Sequence, residues 1–223
     1  MTLRTRWILP GLLTAALFAA SVAAAADPLD PKVKINATDQ AHAVAALLVK
    51  SDFGPAWVGG QQKPNALKIP VCPAYHPDDS DLTITGHAES LFSLSNAGIQ
   101  VDSDVVILKT AKQVETQFKR ILQPKLGTCL KYDLLKSIGG QGIVIGQVKR
   151  LTLPKVGTHA AAFRVELAVK SGKTSVVVFS DFMFLAQGRT QFYVNLVAPS
   201  NVESQLPALE SRIARTLIKR VQV

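Results

Sequence analysis

The chain has little cysteine, little histidine and few aromatic residues, and each shortage removes a class of function. Two cysteines, Cys72 and Cys129, occur in 223 residues. Neither belongs to a C-x-x-C pair, and His76 alone lies near one of them, so the usual zinc and thiol-redox patterns are missing. The four histidines (His42, His76, His87, His159) and the serines form no G-x-S-x-G or related hydrolase signature. No basic-aromatic motif is present, so nucleic acid is not an expected partner. Past the leader there is no internal repeat, no low-complexity segment and no apolar run of membrane length, so no membrane span is expected in the processed chain. Gly172-Lys173-Thr174 has the ending of a phosphate-binding loop, but Leu167 stands where that loop needs its first glycine, and a strand rather than a helix follows. Gly140-Gln141-Gly142, with Gly146, does not make G-x-G-x-x-G and leads into a strand instead of joining a strand to a helix, which excludes a dinucleotide loop. No cofactor is implied.

What is present begins with a leader. Arg4 and Arg6 precede an apolar run over 7–22, and four alanines over 23–26 supply the small residues of a cleavage site. Residues 1–26 therefore read as a secretory signal, with an uncleaved signal anchor as the alternative. No cysteine lies near the cut, so a lipoprotein anchor is not expected. Removing the two leader arginines lowers the net charge from +9 to +7. The positive charge is spread along the chain, a pattern that favours solubility and attraction to anionic surfaces. The expected location is secreted, periplasmic or in the cell envelope. There a cysteine pair reads as a disulfide, and one closing about 57 residues is worth roughly 3–4 kcal/mol.

Hydrophobic periodicity organises the rest as one domain over 38–223, preceded by a Pro- and Lys-rich tether over 27–37. Thr38 reads as a helix cap, and that helix ends near Asp52, before Gly54-Pro55. The period then becomes two. Leu82, Ile84, Phe92 and Leu94 mark strand character, and after Gly98 the residues Ile99, Val101, Ser103, Val105 and Ile107 share one face, with Gln100, Asp102 and Asp104 on the other. Val114, Phe118, Ile121 and Leu122 form a helical stripe, broken at Pro124 and resumed by Leu126, Leu130 and Leu134. Four strands follow from Ile143. In the second of them Phe163, Val165, Leu167 and Val169 point inward and Arg164 and Glu166 outward. Ser171-Gly172 and Gln187-Gly188 read as hairpin turns. A last helix carries Leu209, Ile213, Leu217 and Val221. The expected fold class is α+β: a twisted antiparallel sheet of about six strands, with helices packed on one face and one disulfide.

His76-Pro77-Asp78-Asp79-Ser80-Asp81 gathers an imidazole and three carboxylates, but it lacks the glycine and closing glutamate of a calcium loop and reads as a solvated turn. His87 and Glu89 share a strand face, and two ligands do not make a metal centre. Trp57, Tyr75, Phe92 and Tyr193 are the candidate apolar lining of a groove between the sheet and the broken helix, with Lys109 and Arg164 placed to meet an anion.

The stretch 47–57, with its leucines, acidic residue, proline and tryptophan, resembles the opening of many small exported actinobacterial proteins. Residues 101–107, then Thr110-Ala111-Lys112-Gln113, then Cys129, follow an order similar to the PknH-type extracytoplasmic sensor domain of mycobacteria. That resemblance spans about residues 45–220 and implies a disulfide-stapled antiparallel sheet with helices around a ligand cleft. The PsbP/Mog1-like fold of exported lipoproteins is a second resemblance. The expected function is an extracytoplasmic, non-enzymatic binding module, sensor-like or carrier-like, for a small molecule, lipid or envelope glycan. The alternatives are an exported hydrolase with a site near His76, Asp78, Asp81 and His87, and a protein-interaction factor of the envelope. Oligomeric state is not legible.

Overall fold

In the computed structural model, residues 27–65, 72–138, 142–171 and 174–221 are described. The leader 1–26 and the turn glycines Gly139, Gly140 and Gly172 lie outside them. Six long strands carry the sheet: β3 (Thr83–Leu94), β4 (Ile99–Leu108), β5 (Ile143–Leu151), β6 (His159–Ser171), β7 (Thr174–Gln187) and β8 (Thr190–Pro199). Two short strands complete it, β1 (Lys32–Val33) and β2 (Val58–Gln62), giving eight where the periodicity indicates about six. Two to five residues at a sheet edge leave no readable alternation, which is why the pattern misses them. The order is β1-β3-β4-β8-β7-β6-β5, with β2 also on β3. All pairings are antiparallel except the short β1–β3 pair.

The helices are α1 (Ala37–Ala45), α2 (Ala111–Ile121), α3 (Lys125–Ile138) and α4 (Leu206–Lys219). Asn36 caps α1, its side chain accepting from the Asp39 amide, two residues before the cap expected at Thr38. The segment read as a tether is bound to the sheet: the amides of Lys32, Lys34 and Asn36 donate to the carbonyls of Leu82, Ile84 and Thr85. Gly86 lets α1 lie this close to β3, because a Cβ there would sit 2.4 Å from the Asp39 carbonyl oxygen.

The α+β class, the antiparallel sheet and the disulfide are as expected, but the helices cover both faces. Alternate residues of each strand feed two separate clusters. Val101, Val105, Met183, Leu185, Phe192 and Val194 face α1 and α4. Val106, Leu108, Phe184, Val165 and Leu167 face α2 and α3. Strands β4 and β7 are apolar on both faces along the stretch where helices flank them, which demands a layer on each side. The connectivity places those layers. From β4 at mid-sheet, α2 and α3 carry the chain across one face to the far edge, where β5 begins the run β5-β6-β7-β8 back to β4. Gly188 turns β7 into β8 with a φ of 58°.

Arg164 departs from its expected outward position. It is 9% exposed, and α4 with the 3-10 turn before it covers it. Its Nε and Nη2 donate to Asp181 at 2.8 Å each, Nη1 donates to Glu203 at 2.8 Å, and its guanidinium lies 4.4 Å from the centre of the Phe179 ring. On the opposite face Cys72 and Cys129 are bonded. Tyr75 donates to the Arg120 carbonyl at 2.6 Å, and the Arg120 guanidinium bonds Asp79 and Asp81. Loop 72–81 is thus stapled to α2 and α3, and two carboxylates of the acidic turn are held by that arginine.

Candidate functional site

The six residues singled out as ligand contacts are not brought together. Phe53 stacks on Trp57 at 4.5 Å and meets Phe92 at 4.8 Å, all inside the cluster beneath α1. Tyr75 and Tyr193 lie with the cluster on the other face. The Tyr193 hydroxyl donates to Gln191 at 3.0 Å. Burial pushes the Tyr75 phenol up to about 12 and Tyr193 further still. Lys109 is exposed, while Arg164 is enclosed by Asp181, Glu203 and Glu210. A cation so surrounded by carboxylates has no charge left over for a ligand anion. The disulfide pair, Cys72 and Cys129, is formed.

The residues of the hydrolase alternative also separate. His76 pairs with Asp27 at 3.0 Å and Asp81 with Arg120, whereas His87 Nε2 is 2.8 Å from Asp104. Glu89, which shares a face with His87, bonds the Asn65 amide at 2.9 Å instead. Asp102 completes this acidic face of β3 and β4. Its Oδ1 is buried and has no hydrogen-bond partner among the described residues. Burial, then the charges of Asp104 and Glu89, raise its carboxyl to about 6. Among the described residues, no group of three or more His, Cys, Asp or Glu side chains is arranged to hold a metal ion.

A groove does lie beside the broken helix, lined by other residues. Pro124 ends the first helical run, and α3 restarts against β5. Between them is an open hollow of about 490 Å³. Pro124, Val148 and Phe163 give it an apolar floor, and Thr128 and Gln147 add polar groups. Lys131 and Arg150 supply two cations, both exposed and neither in an ion pair with a described residue. Among the described residues, no carboxylate lines it.

A bulge shapes the β5 wall. Ile145 faces Leu167 and Val148 faces Val165, so Gly146 and Gln147 together stand opposite Glu166. The bulge also flips the alternation, which puts Arg150 on the α3 side with Val148. Gly127 faces Val148 from the helix wall, where a Cβ would make an ordinary 3.5 Å contact with Val148 Cγ1.

None of the six contact residues expected from the sequence lines this groove. The available signals were the Pro124 break and a glycine inside a strand, which marks a bulge. A smaller hollow of about 240 Å³ near His42 also has cations, but Arg189 is bonded to Asp39, and Arg220 to Asp52 and the Leu47 carbonyl.

No protein-family model matches the chain, and no curated protein matches it as a relative.

Proposed function

We propose that this protein is an extracytoplasmic binding module, sensor-like or carrier-like, that takes a small anionic ligand into the groove between α3 and β5. The supporting observation is the groove itself: two cations over an apolar floor, with no ion-pair partner and no lining carboxylate among the described residues. An anion entering there meets charge that no described residue neutralises, and its apolar part covers Phe163 and Val148. The disulfide fits an oxidising compartment, and no helix among the described residues is long and apolar enough to cross a membrane. The leader read from the sequence supports export.

Calorimetric titration with phenyl phosphate tests this reading, with phenol as the uncharged control. Binding of phenyl phosphate alone is expected, lost in the double variant Lys131→Glu/Arg150→Glu. Equal binding by the double variant would remove the groove from the proposal.

A second reading, hydrolysis at the acidic face, has one observation in its favour. The His87–Asp104 pair lies on the same sheet face as Asp102, a carboxyl raised to about 6. Such a group titrates just below neutral pH, within range of proton exchange. Turnover of ester or glycoside substrates that disappears in both His87→Ala and Asp102→Asn, with folding retained, would favour this reading over the first.

A further inference from the structure

We propose that the α3–β5 groove is one end of a longer anion-binding track that continues past Arg150 beneath loop 152–158, and that its ligand is an extended chain of phosphate or carboxylate groups. This rests on the binding-module reading and deepens it.

A second hollow, of about 640 Å³, opens at the end of the β5–β6 hairpin, and Arg150 lines both hollows. The second contributes Lys155, with Thr152 as a hydrogen-bonding neighbour, and among the described residues no carboxylate lines it either. Lys131, Arg150 and Lys155 are exposed and form no ion pair among the described residues. Elsewhere Arg120, Arg164, Arg189 and Arg220 are each committed to a carboxylate. The cations along this track are open to an external anion, as are Arg212, Arg215 and Lys219 around a hollow on α4, and the track differs in that Arg150 joins two hollows.

The loop over the second hollow is anchored. Leu151, Leu153 and Val156 pack against the cluster beneath α4. The Thr158 amide and hydroxyl both donate to the Ala186 carbonyl, at 2.8 and 3.0 Å. Gly157, with φ 63°, permits this approach, because a Cβ there would sit 2.4 Å from that same oxygen. The wall is thus formed before a ligand arrives, which lowers the ordering cost of binding. Each exposed charge contact is weak alone. Several contacts to one linked ligand reinforce each other, which favours a chain over a single anion.

The test is calorimetric titration at low salt with two length series, orthophosphate against tripolyphosphate and galacturonate against trigalacturonate. The unmodified protein is compared with Lys131→Glu, Lys155→Glu and the charge-matched control Lys34→Glu. In at least one series the longer ligand should bind about tenfold more tightly. Its affinity should fall about tenfold in either groove variant and stay within about twofold in the control. The series with the length dependence identifies phosphate or carboxylate as the ligand chemistry. No length dependence in either series, or equal effects of Lys155→Glu and Lys34→Glu, overturns the extended track. If the single anions still bind in a Lys131-dependent way, the simpler groove reading survives. No binding of any of these anions overturns both.

Discussion

Glu210 should make this protein lose stability as the pH rises from 5 to 8, and Glu210→Gln should remove that loss. Its side chain is 4% exposed beneath α4, beside Asp181, which is fully buried, and Arg164. Burial raises its carboxyl most, the hydrogen bond and charge of Asp181 raise it further, and Arg164 opposes them, leaving it near 8. The sign follows from where the proton resides. The folded chain keeps it up to about 8, while the unfolded chain releases it near 4.5. The stabilising contribution is complete below about 4.5 and disappears as the pH climbs through 8. Each pH unit inside that window costs about 1.4 kcal/mol for one proton, so the span from pH 5 to 8 amounts to on the order of 3 kcal/mol. Glutamine keeps its amide hydrogens at every pH and can donate to Asp181 as the protonated acid does. Urea unfolding followed by fluorescence of the buried Trp57 gives the measurement. With a urea slope of about 2 kcal/mol per molar, the variant should gain about 1.5 M in midpoint relative to the unmodified protein between pH 5 and 8. Parallel midpoint curves for the two proteins across that range would refute the assignment of the proton to Glu210.

Two further outcomes follow from the same structure. Replacing Cys72 and Cys129 with serine should cost roughly 3–4 kcal/mol, measured by denaturant unfolding, because the bridge closes a separation of 57 residues; a loss below about 1 kcal/mol would mean that loop 72–81 is held by Tyr75 and Arg120 without it. Asp102→Asn should leave stability unchanged near pH 4 and raise it by about 1 kcal/mol at pH 7 after allowance for solvent screening, because the native carboxyl titrates near 6; thermal melts at the two pH values check this, and equal effects at both would show that Asp102 is not the titrating group.

Short-range periodicity is a property of the chain, and it marked every long element. The alternation from Ile99 to Ile107 places β4, and the stripe Val114, Phe118, Ile121 places α2. The Pro124 break separates α2 from α3, and the cysteine count anticipates the bridge. These features follow from side-chain spacing, which each segment carries alone. Pairing partners do not. That β4 lies against β8 is set by α2 and α3 crossing one face to reach the far edge. A helix layer on each side of the sheet follows from strands apolar on both faces meeting helices brought back by that crossing. The same long-range geometry turned Arg164 from an outward charge into the centre of a buried carboxylate cluster. The bulge at Gly146-Gln147 then aimed Arg150 across the groove toward α3. A groove is a relation between segments, so its lining was settled by tertiary packing and not by any local pattern.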